Sequence, residues 1–299
     1  MLARLSPHLR AVLQALFVTF LWSTSVILIK FGLDDIPALT FAGLRYMLAF
    51  TCLLPLAWRS GAVAALRKLP ARDWRRLIVL GLLFYTMTQG AQFLGLERLP
   101  AVTLSLVLSF SSGMVALMGI VLLSEYPTRM QWGGIGLYLV GVLVYFYPAS
   151  IPSGQVVGLV IIIIGMLANA LSAVLGRDIN RRGTIPPLAV TVASMGVGGL
   201  VLLVAGIIVQ GLPPLDLQNW AIIAWLAVVN TAFAFTLWNH TQRTLPAVES
   251  SIINNTMLIQ LAVLAWIFLD EALTAREIVG MVLAGAGTLI VQLRRARAA

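Results

Sequence analysis

Residues 97–146 and 243–292 can be laid over each other without a gap at a spacing of 146, and 13 of the 50 pairs are identical. Among them are Leu99-Pro100-Ala101-Val102 with Leu245-Pro246-Ala247-Val248, Glu125 with Glu271, Thr128 with Thr274, Gly134 with Gly280 and Gly141 with Gly287. An apolar chain produces chance matches, but Pro, Glu, Thr and Gly in register are not of that kind. The chain is therefore one half built twice. Each half holds five apolar stretches, and an odd number of crossings turns the second copy upside down relative to the first. The fold expected is an all-α integral membrane protein of ten transmembrane helices, arranged as two inverted five-helix repeats over 1–150 and 151–299. That is the ground plan of a transporter.

Composition agrees: 60% of the 299 residues are hydrophobic and 10% charged, and the mean hydropathy is +0.96, outside the range of a soluble domain. The net charge of +9 does not form a nucleic-acid surface, because the cations lie between apolar runs rather than in a groove with interleaved aromatics. Spans are expected near 11–30, 38–58, 75–96, 100–123, 131–148, 155–176, 187–210, 218–242, 247–269 and 276–293, most close to the ~20 residues that cross hydrocarbon as a helix. With the N-terminus cytoplasmic, sixteen Lys and Arg fall on the cytoplasmic side and only Lys30, Arg98 and Arg276 on the other. This bias places both termini inside. The first span follows Arg4 and Arg10 like a signal peptide, but its length and repeat-matched residues argue for a retained helix. A single cysteine, Cys52, excludes a disulfide framework and a Cys-based zinc site.

The halves meet near Pro148–Gly154 without a real linker. Pro100 and Pro246 each open a helix, where a missing N–H costs nothing. Thr128 with Gln131 and Thr274 with Glu277 read as capping boxes for the fifth and tenth helices. Small residues at helical spacing on those two helices suit close packing, as scaffold or as the seam of a homodimer.

Polar side chains within hydrocarbon mark helices that face protein or water. Tyr85, Thr88, Gln89 and Gln92 recur at i, i+3, i+4 and i+7 on the third helix. Ser105, Ser109 and Ser112 share a face of the fourth. Asn254, Asn255 and Gln260 lie on the ninth, Trp22, Ser23 and Ser25 on the first, Asn169 and Ser172 on the sixth, and Asn230, Thr231, Trp238 and Asn239 on the eighth. These six helices form three repeat-related pairs, and a central cavity lined by them is expected. The substrate-binding candidates are Trp22, Tyr85, Gln89, Gln92, Ser109, Asn169, Trp238, Asn254, Asn255 and Gln260. For any single Ser or Thr among the polar residues, interhelical hydrogen bonding is the favoured reading.

Arg45 lies about seven residues inside the second span and needs a partner: an ion pair with Asp34, Asp35 or Glu97 is expected, with substrate contact as the alternative. Glu125 and Glu271 each close a helix at its C-terminal end, where the macrodipole disfavours an anion. Compensation by Arg177 and Lys30 would make Lys30–Glu271 an outer gate and Arg177–Glu125 an inner gate; solvated interface charge is the other reading. No Asp or Glu occurs near the middle of a span, so a central carboxylate for proton coupling or cation binding is lacking.

Pro246-Ala247-Val248 through Asp270-Glu271-Ala272-Leu273-Thr274, then Gly280 and Gly287, with the weaker first-half version around Glu125, resemble the paired EamA domains of the drug/metabolite transporter superfamily. Trp22 to Lys30, Pro37 and Leu44-Arg45-Tyr46 are similar to that family's opening helices. The resemblance implies alternating access and export of small metabolites, often amino acids, across a bacterial inner membrane. It is nearest to the aromatic amino acid exporters, although no subfamily motif marks it. The sequence departs from symmetry where Asn169 answers Trp22 and where Ser194 or Met195 answers Arg45. A neutral or zwitterionic solute suits amides, hydroxyls and aromatic rings without a strong charge. The rival readings are a drug or nucleotide-sugar carrier and a channel or lipid-handling protein of the same fold. An enzyme would need paired carboxylates, a His cluster or a nucleophile–base pair at depth. The expected partners are the solute and the bilayer; no cofactor, metal or nucleic acid is expected.

Overall fold

The computed structural model describes residues 6–111, 114, 118, 128–147, 153–181, 183–241, 244–245 and 247–293. Every regular element among them is helical. The helices are α1 (Pro7–Gly32), α2 (Ala38–Arg59), α3 (Ala71–Arg98), α4 (Ala101–Ser109), α5 (Arg129–Phe146), α6 (Ser153–Arg181), α7 (Pro187–Gln210), α8 (217–241), α9 (Ala247–Phe268) and α10 (Ala275–Leu293). A six-residue helix, Ala62–Arg67, lies in the basic loop between α2 and α3. Helices α1, α2, α3, α6, α7 and α8 each contain a stretch long and apolar enough to span a bilayer, and α5 and α9 contain shorter apolar stretches. Hydropathy thus located the spans of these eight helices, with ends shifted by a few residues; the fourth expected span, 100–123, lies partly outside the described residues.

The chain forms two compact units, and each takes helices from both sequence halves. One comprises residues 1–27, 99–157 and 233–299; the other comprises 28–98 and 158–232.

In the first unit, α5 and α10 run antiparallel at backbone contact. A Cβ placed at Gly141 would sit 2.6 Å from the Gly280 carbonyl oxygen, and one at Gly287 would sit 2.6 Å from that of Gly134. Gly134 and Gly141 are the repeat partners of Gly280 and Gly287, so each contact is the other with the halves exchanged. Two equivalent helices that meet this way are related by a local two-fold axis across their length, which requires opposite directions. The small residues of α5 and α10 are therefore buried against each other within one chain, and a contact between copies would fall on other faces of these helices. Tyr138 and Tyr145 tie α5 to α4: the Tyr138 hydroxyl donates to the Leu106 carbonyl at 3.0 Å, and the Tyr145 hydroxyl lies 3.2 Å from Thr103 Oγ1.

The second unit repeats the device with α2 and α7. A Cβ at Gly43 would sit 2.7 Å from the Leu203 amide nitrogen, and one at Gly206 would sit 2.5 Å from that of Thr40. As residue number rises on α2 it falls on α7, so this pair is antiparallel too. The end of α7 also satisfies the start of α2, whose first N–H groups lack helical acceptors. Leu39 N–H donates to Gln210 Oε1 at 2.7 Å, and Thr40 Oγ1 donates to the Gly211 carbonyl at 2.8 Å.

Two segments are π-helical: Leu82–Gln89 within α3 and Val228–Phe233 within α8. Leu82 and Val228 are 146 apart, so both copies widen at the same place. A π-turn leaves side chains off the α-helical stripe and is found disproportionately at functional sites.

Candidate functional site

Polar candidates fall into one group in each compact unit. In the second unit the π-segments carry it. Tyr85, Thr88 and Gln89 of α3 are buried, and the Tyr46 hydroxyl donates to Gln89 Oε1 at 2.6 Å. The rings of Tyr46 and Tyr85 meet edge to face with centroids 5.4 Å apart, a favourable aromatic geometry. Thr86 Oγ1 ties the same segment to the Gly198 carbonyl of α7 at 2.8 Å. Gln92, one turn further, is half-buried and bonds to nothing among the described residues. Asn169 of α6 is half-buried.

Arg45 is 5% exposed, yet the expected ion pair with Asp34, Asp35 or Glu97 is absent. Asp35 accepts instead from Asn219 Nδ2 at 3.5 Å, and Glu97 pairs with its neighbour Arg98 at 2.7 Å. Arg45 Nε donates to Thr231 Oγ1 at 3.0 Å, and the guanidinium carbon lies 5.3 Å from the centroid of the Tyr46 ring. Thr231 belongs to the π-segment of α8, and its hydroxyl also donates to the Leu226 carbonyl at 2.8 Å. A cation at this depth costs roughly 2.5–3.5 kcal/mol. One neutral hydrogen bond and one ring offset part of that. The α8 pairing was not legible in the sequence, because a π-turn carries no composition signal and shifts which residues face α2.

In the first unit, Trp22 packs on two rings of α8, with centroids 5.4 Å from Phe235 and 5.2 Å from Trp238. Its indole Nε1 is buried without a hydrogen-bond acceptor among the described residues. Trp238 also covers a small core of Ala11, Ala15, Leu245 and Ile253. One turn away Gln260 bridges α1 and α9: it accepts from Ser23 Oγ at 3.2 Å and donates to Thr19 Oγ1 at 3.2 Å and Thr256 Oγ1 at 3.1 Å. Asn254 is exposed. Ser109 Oγ donates to the Leu106 carbonyl at 2.7 Å, the back-bonding common for a helical serine. The side chain of Asn255 lies outside the described residues, as do Ser112, Glu125 and the side chain of Arg177.

Glu271 has the compensation that its position demands, from a helix N-terminus. Its carboxylate accepts from Ala101 N–H at 2.9 Å and Val102 N–H at 3.4 Å, where α4 presents unpaired amides and the positive end of its dipole. The local backbone puts it there. Helix α9 ends with Glu271 N–H donating to the Ala265 carbonyl at 3.3 Å, across Asp270 in a left-handed conformation (φ 54°). The capping box at α10 forms as expected, with the Glu277 carboxylate accepting from Thr274 N–H at 2.7 Å and the Thr274 hydroxyl accepting from Glu277 N–H at 3.3 Å. Glu271 and Glu277, with Pro100, Val102, Thr103 and Tyr145, line a 420 Å³ cavity that also holds Asp270 and Arg276. Lys30 closes the last turn of α1, half-buried, at the end where a cation suits the dipole.

The EamA-like transporter family profile matches the chain twice, over residues 9–147 and 154–293. The chain belongs to the EamA-like transporter family. As an EamA protein it is a multi-pass membrane transporter with two family repeats. It is 29% identical over 295 residues to a probable amino-acid metabolite efflux pump of Salmonella typhimurium, covering 92% of each chain. To an S-adenosylmethionine/S-adenosylhomocysteine transporter of Chlamydia trachomatis it is 24% identical, over 85% of this chain and 80% of that one. An uncharacterized transporter of Bacillus subtilis, YyaM, is 28% identical over 62% of this chain and 64% of its own length. A crystal structure shares the fold at a TM-score of 0.69 and 17% identity, covering 96% of this chain and 98% of that chain. Small-metabolite transport is thus the activity of this EamA protein.

Proposed function

We propose that the protein exports metabolites that carry an amino-acid end, amino acids with aromatic or other apolar side chains first among them, by alternating access across a bacterial inner membrane. The observation that carries this reading is the Trp22–Phe235–Trp238 cluster, in which the buried Trp22 indole N–H lacks an acceptor among the described residues. Flat apolar surface with a free donor at its edge suits an aromatic or apolar side chain and a polar head. The relatives support the same class, since an amino-acid metabolite and S-adenosylmethionine share an amino-acid moiety. On this reading the halves 1–150 and 151–299 are inverted repeats, and the faces of α1, α4 and α8 that bear Trp22, Ser109 and Trp238 line the solute's path. The charge bias puts both termini in the cytoplasm. Glu271 is a gate residue, its latch on α4 closed in the structure described and open in the alternate state.

The test is uptake of a labelled panel of amino acids, with S-adenosylmethionine included, into proteoliposomes with and without a pH gradient. Aromatic amino acids are expected to enter, saturably and independently of the gradient, because no mid-span carboxylate is available to carry the proton. Uptake confined to drugs or nucleotide sugars would overturn the proposal.

A further inference from the structure

Arg45 does not behave as a structural arginine. It lies seven residues inside α2, about 10 Å along the helix, and is 5% exposed. Structural arginines at such depth pair with a carboxylate or with backbone carbonyls. Arg45 does neither: the carboxylates of Asp35 and Glu97 are engaged elsewhere, and its bond to a protein group is from Nε to Thr231 Oγ1. Five N–H donors sit on a guanidinium, and the four on the two terminal nitrogens donate to nothing among the described residues.

The surroundings hold that open fork in place. Thr231 fixes Nε from the π-segment of α8, and the Tyr46 ring supports the guanidinium from 5.3 Å. Tyr46 is itself anchored by its hydrogen bond to Gln89 in the π-segment of α3. The two repeat-related π-segments thus brace one cation from both sides, directly in one case and through Tyr46 in the other. A planar, pre-oriented fork with its two terminal nitrogens free matches the paired oxygens of a carboxylate.

We propose that Arg45 binds the carboxylate of the transported solute, and that Thr231 and Tyr46 are the positioning residues that hold its fork open. The inference rests on the amino-acid reading above and names the residue that recognises the solute's carboxylate. The repeat has no second copy of this site, because Ser194 or Met195 stands at the matching position of α7. One carboxylate per transport cycle is the stoichiometry that follows.

The experiment compares L-phenylalanine with L-phenylalaninamide, which keeps the ring and amine but lacks the carboxylate. Counterflow in proteoliposomes and thermal protection of the detergent-solubilised protein are read for wild type, Arg45→Gln and Arg45→Lys. Wild type is expected to transport and be protected by phenylalanine and to discriminate against the amide. Arg45→Gln is expected to raise the half-saturation for phenylalanine about tenfold or more, the scale of lost charged hydrogen bonds, and to erase the preference over the amide. Arg45→Lys retains charge without the fork and falls between them. Equal protection of wild type by acid and amide overturns the assignment, whether or not the variants fold. So does a folded Arg45→Gln protein that keeps the wild-type preference. If wild type responds to no amino acid, the amino-acid reading has failed separately. Phenylacetate against benzyl alcohol then decides the site: protection by phenylacetate that is lost in Arg45→Gln supports it, and an equal response to both compounds overturns it.

Discussion

At the residue scale, Glu271 converts an unfavourable position into a joint. A carboxylate at the C-terminal end of α9 meets the wrong end of that dipole, and the left-handed turn at Asp270 redirects it to the amides of Ala101 and Val102. Replacing Glu271 with Ala is expected to lower stability by about 1–3 kcal/mol, read as a fall in unfolding temperature in detergent. Glu271→Gln keeps hydrogen-bonding capacity but loses charge, and in a Cys52→Ala background it is expected to increase labelling of cysteines placed near the 420 Å³ cavity. Unchanged labelling would remove Glu271 from gating and leave it as a cap. Asp270 supplies an independent check of the turn. With φ at 54°, Asp270→Gly should be neutral or mildly stabilising, while Asp270→Val should cost about 1–2 kcal/mol. The Tyr46–Gln89 bond behaves differently again: Tyr46→Phe strands a buried amide and should cost about 1–3 kcal/mol. The double change with Gln89→Leu should recover part of it, and a thermal-stability double-mutant cycle measures the difference.

At the scale of elements, glycine sets the distances. Helices α5 and α10 approach until backbone meets backbone at Gly141 and Gly280, so Gly141→Ala pushes a Cβ against a carbonyl that cannot rotate away. The expected cost is about 1–3 kcal/mol, and Gly136→Ala on the same helix, where no neighbour lies within 4 Å, should cost nothing measurable. The repeat in sequence foretold which glycines correspond but not that they touch, since pattern identifies equivalent positions and only packing pairs them. Spans and the Thr274–Glu277 box were legible because each depends on residues close in sequence. The partner of Arg45 was not, because Thr231 lies 186 positions away on a π-segment that shifts its register. Nor did a carboxylate at a helix end reveal that a second helix's amides would meet it.

At the scale of the molecule, each sequence half contributes helices to both compact units. The antiparallel pairs α5–α10 and α2–α7 show equivalent helices running in opposite directions, which is what an inverted duplication requires. On the proposed function, such equivalent elements exchange roles as a solute taken up at one face is released at the other. The central claim is that this exchange carries an amino-acid solute through a saturable site. Its most direct test is counterflow: proteoliposomes loaded with unlabelled phenylalanine are diluted into a trace of labelled phenylalanine. The account predicts transient accumulation of label above equilibrium, abolished when the internal solute is omitted. Entry of label that only equilibrates, equally fast with or without internal phenylalanine, would mark a pore and contradict it.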